Sequence, residues 1–258
     1  QGGAVYYFGN PPSDTPTSFT NATFNGNSDN QGGAVYNVNS RVAIGNSILW
    51  GDSAPNNSEI FTDTSSRNSK TWVYYSIVQG SGSSGFWTTE APNTPGTFDG
   101  GNNLDTDPMF QGAPSNLRLQ YASPAINKGN NTYVAGVTTD LDGNPRVVGG
   151  QVDMGAYESP CPAQGSIIYV NSGASGANNG ATWPDAYTTL TAALAGVPTT
   201  PPNACAEIWV AQGTYTPTTP SGRDATFTLK SNVAIYGGFT SGQTLLSQRN
   251  WRANVTTL

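Results

Sequence analysis

Apolar residues along this chain come in short bursts of four to six positions, rich in Val, Ile, Tyr and Phe and separated by clusters of Gly, Asn, Ser and Pro. Bursts of that length and composition predict β-strands joined by tight turns. One stretch departs from the pattern. Over residues 185–194, Ala186, Leu190, Ala193 and Leu194 fall on one helical face, and Pro184-Asp185 makes a helix start, so a helix is predicted there.

The bursts repeat. Gln1-Gly-Gly-Ala-Val-Tyr6 recurs unchanged as Gln31-Gly-Gly-Ala-Val-Tyr36. A second element occurs three times, beginning at Asn21, Asn46 and Tyr75. Its small positions are Ala22, Ser47 and Ser76; its large apolar positions are Phe24, Leu49 and Val78; Gly26, Gly51 and Gly80 are identical. Two residues before each element stands another apolar residue, Phe19, Ile44 or Val73. The inward parity therefore slips by one residue around Asn21 and Asn46. A strand changes parity only at a bulge or corner, and Asn tolerates the backbone that a corner needs. A period near 25 residues, with short strands and no helix, predicts one coil of a parallel β-helix, adding about 4.8 Å per coil. Phe24, Leu49 and Val78 would then stack as a core ladder. A β-sandwich of similar hairpins is the competing reading.

Composition agrees with turns and β-structure. Charged residues are 10% of the chain, against about 25% in an ordinary globular domain. There are 31 Gly and 18 Pro among 258 residues. Aromatics make up 10%, which with so little charge argues against disorder. The net charge of −6, without a basic run, argues against nucleic-acid binding. No apolar stretch is long enough to predict a membrane span. The absence of His removes His-based triads and most zinc sites. The chain opens on Gln1 without an initiator Met or signal peptide, which reads as a processed product or an excerpt.

The repeated elements resemble coils of right-handed parallel β-helix surface proteins of bacteria, the pectin-lyase-like superfamily. Five later blocks resemble the terminal region called choice-of-anchor Q: Asp105-Thr-Asp-Pro-Met-Phe110, Leu117-Arg-Leu119, Ser123-Pro-Ala-Ile-Asn-Lys-Gly129, Asp140-Leu-Asp-Gly-Asn-Pro-Arg146 and Val152-Asp-Met-Gly-Ala-Tyr-Glu158. This implies that residues 1–158 are the C-terminal coils of one β-helix. Residues 166–258 are similar to the opposite end, with Ile168-Tyr-Val-Asn171, Trp183, Glu207-Ile-Trp-Val-Ala-Gln-Gly-Thr-Tyr215 and Val233-Ala-Ile-Tyr-Gly-Gly-Phe239 carrying the likeness. The helix at 185–194 would cap that first coil. Residues 159–165 read as a stiff linker where the family would place an anchoring signal. The resemblance thus implies an all-β chain, the tail of one solenoid followed by the capped head of another. Either it is a segment of a longer array, or its open ends join copies head to tail.

Cys161 and Cys205 are the two cysteines. Cys161 lies in the linker and Cys205 directly precedes the strand at 207–211. That strand and the one near 167–170 would be neighbours, so a disulfide stapling the linker to the second solenoid is expected of a secreted protein. Two buried thiols are the alternative.

Candidate chemistry is sparse. Asp140, Asp142 and Asn144 resemble half of a calcium loop, but the later ligands are missing and a tight turn explains them as well. Asp99, Asn102, Asn103, Asp105 and Asp107 form a second oxygen-rich loop of the same kind. A polysaccharide lyase or hydrolase on this scaffold would need paired carboxylates; Asp29, Asp52 and Asp63 are widely spaced, Arg67 and Lys70 are read as loop residues, and Asp105 with Asp107 is the one near pair. Tyr6-Tyr7-Phe8, Trp50, Trp72-Val-Tyr-Tyr75 and Phe86-Trp87 would suit a glycan-stacking surface, or else the core. The sequons at Asn21, Asn56, Asn130 and Asn254 match chance expectation in so Asn-, Ser- and Thr-rich a chain. The function expected is structural: a secreted fibre, stalk or surface layer of stacked β-helices, with a carbohydrate-binding adhesin second and a polysaccharide-active enzyme third. No catalytic residue or cofactor is expected, beyond a structural calcium at Asp140, Asp142 and Asn144.

Overall fold

The computed structural model describes residues 3–9, 15–56, 59–161, 165–197, 205–217 and 225–258. Gln1 and Gly2 of the first hexapeptide, Asn57 and Ser58 of one sequon, and the linker positions 162–164 lie outside the described residues. The chain divides into two compact units, residues 1–119 with 124–159, and residues 120–123 with 160–258. It is nearly all β, with parallel sheets stacked as a solenoid and one α-helix among the described residues.

In the first unit each coil contributes up to three strands. The first coil holds β1 (Val5–Phe8), β2 (Thr17–Thr20) and β3 (Thr23–Phe24). The second holds β4 (Val35–Val38), β5 (Arg41–Gly45) and β6 (Ile48–Leu49). The third holds β7 (Ile60–Thr62), β8 (Lys70–Tyr74) and β9 (Ile77–Val78), and β10 (Gly96–Asp99) begins a fourth. Equivalent strands pair in parallel, giving sheets β1-β4-β7, β2-β5-β8-β10 and β3-β6-β9. Lys70 therefore opens a strand and is not a loop residue: with Thr71 and Val73 buried on alternate positions, it takes the outward register of β8.

Phe24, Leu49 and Val78 occupy one register line across β3, β6 and β9. Phe19, Ile44 and Val73 form a second line, and Val5, Val35 and Ile60 a third. All nine pack in one apolar interior. The two hexapeptide copies stack directly, Val5 on Val35 and Tyr6 on Tyr36.

The parity slip has a visible cause. Asn21, Asn46 and Tyr75 are left-handed, with φ of 55°, 49° and 48°. Each donates its backbone N–H to a carbonyl of the next coil, at Gly45, Tyr74 and Gly101 respectively. The small positions are more than small: Ser47 Oγ accepts from Ala22 N at 3.2 Å, and Ser76 Oγ from Ser47 N at 3.0 Å. A hydroxyl thus replaces the ladder carbonyl that the corner turns away. Gly26, Gly51 and Gly80 share φ near 80°, the region where a side chain strains the backbone, which accounts for their identity.

Not all of the interior is apolar. Asn37 donates to Thr71 Oγ1 at 2.9 Å, and Thr62 bonds both Thr71 and Thr97. These buried polar groups satisfy one another from coil to coil, so their burial carries little penalty.

After the antiparallel hairpin of β11 (Phe110–Gly112) and β12 (Asn116–Leu119), the chain returns over the outer face of β3-β6-β9. Ile48 and Ile77 point outward there and are covered by Leu119, Ala125, Ile126 and Met154. Asn46 exchanges hydrogen bonds with Asn130, at 2.7 and 3.0 Å. Gly155 N donates to Asn46 O, and Ala156 N to Thr23 Oγ1.

The second unit contains β13 (Ser166–Val170), α1 (Leu190–Gly196), β14 (Ala206–Ala211), β15 (Gly213–Thr214), β16 (Val233–Phe239) and β17 (Thr256–Thr257). The sheets β13-β14-β16 and β15-β17 are parallel. One face of the larger sheet packs Ile168, Val170, Ile208 and Val210 against Leu190, Ala193 and Leu194 of the helix. The other packs Trp209 and Phe239 in a stack 4.6 Å apart, beside Trp183 and Tyr169. The predicted helix start at Pro184-Asp185 is corrected. The Asp185 carboxylate accepts from Ala177 N and Thr182 Oγ1, and Tyr187 is extended alongside Val170. The helix begins five residues later, where Thr189 Oγ1 caps Ala192 N at 3.2 Å.

Candidate functional site

Three clusters in the first unit carry the chemistry that the chain offers. The first is an outward aromatic stripe on sheet β1-β4-β7. The second residue of each strand points away from the core there, placing Tyr6, Tyr36 and Phe61 in line. Tyr6 and Tyr36 lie 5.4 Å apart and Tyr36 and Phe61 5.1 Å, both edge to face. Tyr6 is 44% exposed. Of the other aromatic candidates Phe8 is 63% exposed, and the following are engaged in packing. Trp50 and Tyr75 rest on the Ile48–Ile77 face. Phe86 and Trp87 close the interior cluster. Trp72 leans on Phe98 under the Lys70 ammonium and donates to Glu90.

The second cluster is a buried ion network built by the returning segment. Arg146 is 2% exposed. Its guanidinium faces Glu158 Oε2 at 3.4 Å and donates to Gly155 O at 2.6 Å and to Asn21 Oδ1 at 3.2 Å. Asp153 accepts from Asn127 N and Ser159 N, and Glu158 from Val148 N and Asp153 N. Burial, followed by the Asp153 charge, pushes Glu158 up to about 8. Burial pushes Asp153 up to about 6, and lowers Arg146 despite its acidic neighbours. Both partners of the ion pair move toward neutrality, so desolvation outweighs their attraction. A shallow depression of about 310 Å³ lined by Asn21, Asp140, Leu141 and Arg146 lies beside the network.

The third cluster was invisible in the sequence. Asp52, an isolated carboxylate in the sequence, stands against Glu59. They are 5% and 0% exposed. Seven residues and a corner separate them, and no motif marks the pairing.

The carboxylates of the calcium candidates are already engaged. Asp140 Oδ1 accepts from Asp142 N and Asn144 N, and its Oδ2 from Glu158 N. Asp142 forms a two-pronged pair with Arg118. In the second loop Asp105 accepts from Gly80 N and Gly82 N, Asp107 from Met109 N, and Asp99 from Gly101 N and Asn103 Nδ2. Asp105 and Asp107 thus both serve turns. Among the described residues no group of three or more Asp, Glu, Cys or His is placed to hold a metal ion.

In the second unit Cys161 and Cys205 are bonded, S–S 2.06 Å and Cα–Cα 5.9 Å. Beside Cys205, Glu207 is 1% exposed and accepts from Tyr121 N at 2.8 Å and Trp209 Nε1 at 2.9 Å. Burial raises its carboxyl above the usual range. No helix among the described residues is long and apolar enough to cross a membrane. Comparison with protein-family models, with curated proteins and with solved structures returned no match.

Proposed function

We propose that this chain is a structural component of a secreted fibre, stalk or surface layer, built from β-helical coils stacked in series or head to tail with copies of itself. The observation that carries the reading is the repetition of whole side-chain lines from coil to coil: three apolar lines, a corner line of Asn and Ser, and a buried Asn–Thr line. Such lines stiffen a stack without any reacting group. The shifted carboxyls also favour it, because Glu158, Asp153 and Glu207 each hold backbone N–H groups inside packed structure. The disulfide suits an oxidising, extracellular compartment. Electron microscopy of the purified chain tests the reading: regular filaments are expected at high concentration, and dispersed particles at every concentration would remove the self-stacking form.

A carbohydrate-binding adhesin is the second reading, favoured by the stripe of Tyr6, Tyr36 and Phe61. Rings repeating along a stack can each take a sugar face. A glycan array probed with wild type and Tyr36→Ala separates the two: the adhesin requires binding that the variant loses, and the structural reading requires neither.

A further inference from the structure

The Asp52–Glu59 cluster has a role that neither reading assigns. Asp52 follows β6 and Glu59 precedes β7, so they bracket the corner between two sheets of the first unit. Asp52 Oδ1 accepts from Asn27 N and Asn27 Nδ2, both at 2.7 Å, one coil away. Glu59 Oε1 accepts from Asp52 N at 3.3 Å. The backbone carbonyl of Glu59 accepts from both Ala34 N and Val35 N of the preceding coil. Two links between coils therefore run through this pair.

The other two oxygens, Asp52 Oδ2 and Glu59 Oε2, are fully buried and meet no N–H or O–H donor. The carboxyl groups are nevertheless within hydrogen-bonding reach of each other. Two bare carboxylates cannot remain so placed in a dry site, because each would be desolvated and repelled by its neighbour. We infer that Asp52 and Glu59 are joined by one shared proton, and that this proton is a latch on coil stacking: when it leaves, the corner opens. One O–H···O bond satisfies both orphan oxygens at once.

Glu59 is the group that keeps the proton. Burial, then the bond to Asp52 and its charge, push it up to about 9. Asp52 is the one titratable neighbour that acts on it; Asn27 faces the pair as a neutral amide, and the Gly51 and Asp52 N–H groups pull weakly the other way. A divalent cation fits less well, since calcium takes six to eight oxygens and two bare ones are offered here.

The sign of the effect follows from linkage. Glu59 keeps its proton in the folded chain up to about pH 9, whereas the unfolded chain loses it near 4.5. Stability from the latch is complete below pH 4.5 and is lost steadily as pH rises toward 9, above which nothing remains to lose. In Glu59→Gln the amide donates to Asp52 at every pH. Urea unfolding from pH 5 to pH 10 is the test. Relative to Glu59→Gln, the folded-to-unfolded ratio of the wild type should fall about tenfold per pH unit up to pH 9 and then level off. A difference that does not change with pH would overturn the latch. So would calcium that stabilises the wild type more than Glu59→Gln at pH 8, which would make the pair a cation site. Infrared difference spectra of the wild type and Glu59→Gln give an answer independent of stability. A protonated carboxyl band present in the wild type and missing from Glu59→Gln should persist to about pH 9; its absence at pH 8 would overturn the inference.

Discussion

Single residues hold the corners of the first unit, and each does so by a distinct physical route. Gly51 has φ of 81°, and a Cβ there would stand 2.8 Å from Asn25 Nδ2. Gly51→Ala should therefore cost about 1–3 kcal/mol in urea unfolding, from backbone strain and crowding together. Arg146 acts through charge. Replacing it with Met removes the one cation facing Glu158 and Asp153, and a cost of about 3–5 kcal/mol is expected. The pH profile checks that cause. Glu158 sits near 8 when folded and 4.5 when unfolded, and Asp153 near 6 against 3.8. Both raised values mean stability that is full below about pH 4 and lost as pH climbs toward 8. Arg146→Met raises both carboxyls further, so its deficit should be constant in acid, begin to grow above about pH 6, where Asp153 ionises in the wild type alone, and grow again above about pH 8 with Glu158. A deficit that stays constant with pH would point to lost packing instead.

Elements show how much was legible beforehand. The ladder of Phe24, Leu49 and Val78, the corners at Asn21 and Asn46, and the period were all readable, because parity and glycine identity survive in a single sequence. The outer cover was not. Ile48 and Ile77 look like outward positions, and nothing local says that residues 119–154 return to bury them. Leu49→Ala and Ile48→Ala should accordingly cost alike, about 2–5 kcal/mol each, as measured by thermal unfolding. A one-sided sheet would tolerate the second. The helix was placed too early because Asp185 serves a loop as readily as a helix start. The Asp52–Glu59 pair escaped because a corner, and not a spacing rule, brings the two acids together.

The chain as a whole carries little charge, and its stability rests on stacked interiors and one covalent tie. Cys161 and Cys205 are 44 residues apart. A closed loop of that length contributes about 4 kcal/mol in the chain-entropy view. Reduction, or Cys205→Ser, should lower the melting temperature of the second unit by several degrees while leaving the transition of the first unchanged. A shift in the first transition would contradict the division into units.

The returning segment of the first unit has a consequence for how that unit comes apart. Coils that touch only their neighbours fray from an end, one at a time. Here Asn130, Arg146 and Gly155 bond to residues of two successive coils, across 84 to 125 positions of sequence. Peeling away the first coil must also detach the covering segment, which exposes Ile48 and Ile77 in the coils beneath. Fraying is thereby converted into a single cooperative event, and hydrogen exchange should find the amides of β3, β6 and β9 opening together, with one common free energy instead of a gradient along the axis.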